Sequence, residues 1–247
     1  MSSEMIDIQT KDGVADAYLA RPDDSQRHPG VLFIVDAFGL RDQIKGMVDR
    51  IAAKGYTVLA PNVFYRAGRA PLLEMPNLDD PAQRGVFFEK VRPLMESLTP
   101  EVIERDGAAY LDTLERLGRG PVAITGYCMG GRVGWRIAAA FPDRVAALGA
   151  FHTGNLVTDD PDSPHHSADR IQAEVFLGHA DNDQSMTPEH IAAVERSLQQ
   201  AGVRFRSELF QGAAHGYTMA DTAAYDEAAA ERHFDELFAL LQRTIGS

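Results

Sequence analysis

A chain of 247 residues, 45% hydrophobic and 24% charged, is long enough to bury one large core and leaves little room for long disordered tails, so a single domain over residues 1–247 is expected. With 36 acidic against 24 basic residues the net charge is −12, a surface field that repels phosphate backbones and anionic headgroups and argues against nucleic-acid and membrane partners. The N-terminal MSSEMIDIQT has neither the basic segment nor the apolar stretch of a signal peptide, and no run approaches the ~20 apolar residues of a spanning helix. The single cysteine admits no internal disulfide, which agrees with a reducing compartment; a cytoplasmic protein is expected.

In chain order, Met5 to Gln9 and Val14 to Leu19 alternate apolar and polar residues around a Lys-Asp-Gly turn at 11–13, the pattern of a hairpin at a sheet edge. VLFIV at 31–35 is a continuous apolar run, as in a parallel strand covered on both faces. Leu40, Ile44, Met47, Val48 and Ile51 form one helical stripe stopped by Gly55, and strand TVLAP follows at 57–61. Residues 62–98, with scattered Pro, Gly and Asn before a weakly helical stretch, read as a loop-rich insertion near the site. Thr99-Pro100-Glu101 starts a helix that runs to Gly118. Strand 121–127, helix 129–141, the apolar run 145–151, strand 173–178, the helix opened by Thr187-Pro188-Glu189, strand 203–210 and a terminal helix from Asp221 complete the series. Strands alternating with helices at this spacing predict an α/β protein, a doubly wound, mostly parallel sheet with helices on both faces.

Gly126-Tyr127-Cys128-Met129-Gly130-Gly131 follows an apolar strand and opens a helical pattern, the G-x-nucleophile-x-G form of a nucleophile elbow with cysteine in the central place. Glycines suit the flanks because so abrupt a turn presses neighbouring main chain together, and the sulfur projects at a helix N-terminus where thiolate is favoured. An elbow nucleophile needs an acid and then a histidine later in the chain. His215, in the small-residue loop Gly212-Ala213-Ala214-His215-Gly216, stands where the base is required. The other histidines have weaker claims: His28, His165, His166 and His233 read as solvated, His190 lies in a first helical turn, and His152 and His179 end strands and could line the site. The loop His179 to Asp183 offers Asp183 as the acid, with Asp181 as the alternative. No metal-ligand spacing appears, so no metal is assigned and no cofactor is called for.

Through VDAFG at 35–39, APNVFYR at 60–66, GYCMGG at 126–131, the Asp183 loop and GAAHGY at 212–217, the chain resembles the dienelactone hydrolase family over nearly its whole length. The resemblance implies the α/β-hydrolase fold and a Cys128-His215-Asp183 triad, with an oxyanion held by the main-chain N–H groups of Met129 and Ala37. It implies that the acid at 36, here Asp36 where the family usually has glutamate, contacts the resting thiol. It also implies two arginines on a substrate carboxylate, of which Arg66 matches the first while Met219 stands in place of the second. If the anion site needs completing, His152 and Arg132 are the further candidates. The expected activity is hydrolysis of a small activated ester or lactone, with a broad carboxylesterase or thioesterase and a non-catalytic thiol sensor on the same fold as alternatives.

Overall fold

The computed structural model describes residues 1–77 and 80–246. Strands β1 (Ser2–Thr10) and β2 (Gly13–Arg21) pair from Ser2↔Arg21 to Thr10↔Gly13 across the expected turn. They are followed by β3 (Pro29–Ile34), α1 (Asp42–Ala52), β4 (Thr57–Pro61), α2 (Pro81–Glu96), α3 (Pro100–Leu117) and β5 (Arg119–Tyr127). Then come α4 (Met129–Ala140), β6 (Val145–Phe151), a 3-10 turn (Pro164–Arg170), β7 (Glu174–Ala180), α5 (Pro188–Ala201), β8 (Phe205–Phe210) and α6 (Glu227–Thr244).

The strands form one eight-stranded sheet in the order β1-β2-β4-β3-β5-β6-β7-β8, antiparallel from β1 through β4 and parallel beyond. Every residue of β3 and β4 is buried, as the absence of alternation in their sequences requires for strands covered on both sides. On one face α1 packs against β4 and α6 against β6 and β7, and Arg50 of α1 grips Glu231 of α6 with two bonds of 2.6 Å. The other face is covered by α3 and α4, which also pack on each other. Thr99 caps α3 by accepting from the Val102 N–H, and Thr187 does the same for α5 through His190, so the two hydroxyl-proline starts read from sequence mark the first turns. No described helix is long and apolar enough to cross a membrane.

Three expectations differ from the fold. The insertion at 62–98, two residues of which (78 and 79) lie outside the described set, contains a full helix, α2. Its periodic signal is weak because only one narrow stripe, with Phe87 and Val91, is buried, while Val86 and Phe88 remain exposed. The terminal helix begins at Glu227, capped by the Asp226 side chain, rather than at Asp221. Residues 214–225 instead make a succession of turns, among them Met219 N–H to Gly216 O and Thr222 N–H to Met219 O. His233, read as solvated, is fully buried where α6 meets the sheet, 2.9 Å from the Tyr127 hydroxyl and edge-on to Phe151. His28 and His165 are half-buried, and His166 is exposed.

Burial pushes His233 down to about 3 and His179 to about 4, and puts His152 well below the usual range. These imidazoles are neutral in the folded chain and charge on unfolding below their ordinary pKa of about 6.5. The unfolded state therefore binds more protons between about pH 6.5 and 3, and stability falls as pH falls through that window. We expect unfolding free energy measured by denaturant titration to decline steeply below pH 6.5. His233→Gln should remove about one proton, or about 1.4 kcal/mol per pH unit, from the slope between roughly pH 6 and 4.

Candidate active site

At the C-terminal ends of the parallel strands, β5 turns into α4 through Cys128, whose backbone adopts φ 54° and ψ −122°. A non-glycine residue in this region is strained, and strain of this kind persists only where the surroundings overdetermine it. Here the flanking glycines do so. A side chain on Gly126 would collide with the main chain of Gly130, one on Gly130 with the carbonyls of Ile34 and Val35, and one on Gly131 with Thr153. The elbow is thus pressed against the end of β3 on one side and the loop after β6 on the other, leaving Cys128 half-buried.

Three neighbouring strand ends converge on it. His152 follows β6, Asp183 follows β7 and His215 lies in the loop after β8. His215 Nδ1 lies 2.6 Å from Asp183 Oδ2, and the same imidazole lines one pocket with Cys128, close enough for the sulfur to raise its pKa. Of the two acids in the β7 loop it is Asp183 that meets His215; the Asp181 carboxylate accepts from the Gly212 N–H instead. Asp183 is itself held by the Ser185 hydroxyl and N–H at 2.7 and 2.9 Å. Burial works against a charged His215, but the Cys128 sulfur and Asp183 outweigh it and push the imidazole up to about 10. Burial likewise opposes a charged Asp183, yet the bonds from His215 and Ser185 bring it down to about 2.

His152, with φ 37° and 1% exposure, stands edge-on to His215 with ring centroids 5.3 Å apart and reaches the Thr218 hydroxyl with Nε2 at 2.8 Å. His179 does not join the site; it bonds to Ser207. Met129 opens α4, so its N–H has no intrahelical acceptor. The Ala37 N–H has no acceptor among the described residues. Both residues flank Cys128, and Ala37 lines with it a pocket of about 370 Å³ whose walls include Phe38, Arg84, Phe88, His215 and Met219.

Two residues lie differently from expectation. Asp36 faces the pocket, but its carboxylate is taken by Arg41, through Nη1 at 2.7 Å and Nη2 at 3.1 Å, rather than by the thiol. The same guanidinium also grips Asp221 at 2.6 and 3.0 Å and touches Met219 Sδ at 3.6 Å. Arg66 does not line the pocket at all. Its guanidinium forks onto Asp106 at 2.7 and 2.8 Å, also bonds Asp12, and stacks over Tyr65. The arginine that does line the pocket is Arg84 of α2, hidden in sequence because the helix carrying it has little periodicity. Arg41 was missed for a related reason: nothing local pairs it with Asp221, 180 residues away. Among the described residues no group of three or more His, Cys, Asp and Glu is arranged to hold a metal ion.

Arg41 joins the turn at 36–39 to the loop at 219–224, and it does so at 8% exposure. Removing one partner of a buried ion pair strands the other charge, at a cost of about 3–5 kcal/mol. Arg41→Met should therefore lower the unfolding free energy by about that amount, while Asp36→Asn combined with it should recover part of the loss. With Asp36→Asn measured alone as well, a double variant whose loss in denaturant titrations equals the sum of the two single losses would show that the pair is not energetically coupled.

The sequence matches the profile of the dienelactone hydrolase family over residues 15–245. It is 28% identical over 226 residues to the protein of Salmonella typhi named "Putative carboxymethylenebutenolidase", covering 87% of this chain and 77% of that one. It is also 28% identical over 218 residues to the carboxymethylenebutenolidase of Rhodococcus opacus, covering 87% and 81%. The crystal structure of a "Putative Dienelactone Hydrolase" from Klebsiella pneumoniae superposes with a TM-score of 0.85 at 21% identity, covering 98% of each chain. Together with the eight-stranded mixed sheet and its elbow, these likenesses place the chain in the dienelactone hydrolase family, as a carboxylic ester hydrolase with the α/β-hydrolase fold.

Proposed function

We propose that this hydrolase uses Cys128 as its nucleophile, His215 as base and then acid, and Asp183 to orient and charge His215. The observation that carries the reading is Asp183 Oδ2 at 2.6 Å from His215 Nδ1, with that imidazole and the Cys128 sulfur on the wall of one pocket beside the free main-chain N–H groups of Ala37 and Met129. The Cys128 thiolate attacks the acyl carbon, and the carbonyl oxygen becomes an oxyanion facing the N–H groups of Met129 and Ala37. Collapse breaks the bond to the leaving oxygen, which takes the proton of the His215 imidazolium. Neutral His215 then removes a proton from water, the hydroxide attacks the thioester, and collapse returns the thiolate, the imidazolium and the free carboxylic acid.

A thiolate leaves as readily as it attacks, so the first intermediate runs backward unless the substrate's own leaving group is as good. Enol lactones, aryl esters and thioesters meet that condition, and amides do not. The name carried by the curated relatives makes an enol lactone with a carboxylate the first substrate to test. With Arg66 consumed by Asp106 and Asp12, the cation available to a substrate carboxylate in the pocket is Arg84. The apolar remainder, Phe38, Phe88 and Met219 among it, also accommodates neutral acyl groups, which favours a broad esterase as the second reading.

Cys128→Ala, or stoichiometric alkylation of this single thiol, should abolish turnover of aryl esters and enol lactones; activity that survives full alkylation rules the mechanism out. Asp183→Asn should lower kcat by about 10²–10⁴, since it leaves the imidazole uncharged and free to take the wrong tautomer, whereas Asp181→Asn should cost less than roughly tenfold. The reverse ranking would transfer the acid's role to Asp181. Because the leaving group needs the His215 proton, kcat/KM should hold through neutral pH and fall as pH rises through about 10.

A further inference from the structure

The guanidiniums of this acidic chain are mostly matched to carboxylates, as at Arg41, Arg50, Arg66, Arg144 and Arg206. Three that are not stand around one aromatic side chain, Phe88 of α2. Arg84 shares the Cys128 pocket with Phe88, while Arg92, two turns further along α2, and Arg132, the fourth residue of α4, share a neighbouring cleft of about 360 Å³ with it. Neither Arg92 nor Arg132 has an ion pair or side-chain hydrogen bond among the described residues. Arg132 is half-buried, four residues beyond Cys128. A guanidinium withdrawn from water without a counter-ion is costly, and groups left so are concentrated where a ligand completes them.

The cleft has the chemistry of a site for an amphipathic anion. Phe88 and Met95 supply apolar wall, and two guanidiniums stand against the single carboxylate of Glu96, which pairs with neither. Phe88 is common to both cavities, and its ring is taken as the crossing from the first into the second. The leaving group has to stay within reach of the His215 proton, which assigns the acyl arm to the part of the pocket lined by Arg84 and Phe88 of α2. We infer that the Arg92 and Arg132 cleft is a second anion subsite of the same active centre, taking the distal carboxylate of an extended acyl chain. The substrate class it selects is monoesters or monothioesters of dicarboxylic acids with several methylenes between the two carbonyl carbons. This rests on the hydrolytic reading above. It goes further in placing the anion across Phe88, at Arg92 and Arg132 rather than at Arg84.

The test compares 4-nitrophenyl hydrogen adipate with 4-nitrophenyl hexanoate, esters of matched chain length that differ in the distal charge, and 4-nitrophenyl hydrogen succinate as a short anion. In the wild type, kcat/KM for the adipate ester should exceed that for the hexanoate ester. Arg132→Gln should lower the adipate-to-hexanoate ratio about tenfold or more, and Arg132→Lys should restore part of it, because a charge-assisted bond is lost and then partly replaced. The succinate-to-hexanoate ratio should move far less. Arg196→Gln, an exposed and unpaired arginine on α5, controls for the general field and should leave the ratios in place. An adipate-to-hexanoate ratio unchanged by Arg132→Gln, or shifted equally by Arg196→Gln, overturns the subsite. Calorimetric binding of monomethyl adipate to Cys128→Ala protein, with and without Arg132→Gln, reads the same subsite without turnover. Weaker binding in the double variant supports the subsite even where Cys128 is not the nucleophile, and equal binding rejects it.

Discussion

The close contact between the elbow and the end of β3 is the constraint on which the site depends. Gly130 lies so near the carbonyls of Ile34 and Val35 that no Cβ fits, and Gly126 is as near to Gly130 itself. That contact holds Cys128 at φ 54°, a conformation it would leave if the turn could relax. It also sets Ala37, three residues beyond β3, across from Met129, the first residue of α4. A wider residue at either glycine would move the sulfur and both N–H groups together.

Parallel strands supply the other half of the arrangement. Because β3 and β5 to β8 run the same way, their C-terminal ends open on one edge, and residues far apart in sequence arrive there side by side. The β5 and β6 pair brings Tyr127 opposite Phe151, so Cys128 and His152 emerge as neighbours. Asp183 and His215 arrive from the next two strands, and Asp183 is fixed by Ser185 before it touches the imidazole. His152, buried and neutral, packs against His215 without competing for its proton.

Charge is distributed to the same end. A chain of net charge −12 keeps most of its arginines tied to acids, and the buried Asp36 and Arg41 pair shows what that binding does locally. Arg41 takes the carboxylate of Asp36, which lines the same pocket as Cys128, braces the turn that contains Ala37, and through Asp221 holds the loop whose residues 219 and 222–224 line that pocket. The free guanidiniums that remain near Cys128 are therefore conspicuous: they lie on α2, which lines the pocket, and on α4, which with α2 lines the neighbouring cleft.

How much of this was legible in the sequence follows from the range of the forces involved. Alternation, apolar runs and hydroxyl-proline helix starts are local, and they marked the hairpin, the buried strands and the starts of α3 and α5 to within a few residues. The elbow was legible because its steric demand for glycine falls within five consecutive residues, and the order of cysteine, acid and histidine follows from strand order. Tertiary packing decided the rest. Only the folded chain could choose Asp183 over Asp181 as the partner of His215, because two acids in one short loop differ in direction and not in pattern. It alone buried His233 under α6 and drew Asp221 out of a helix to meet Arg41. It turned Arg66 onto Asp106 and brought Arg84 to the pocket, since the reach of a long side chain is set by the acid it finds, and no spacing along the chain encodes which acid that will be.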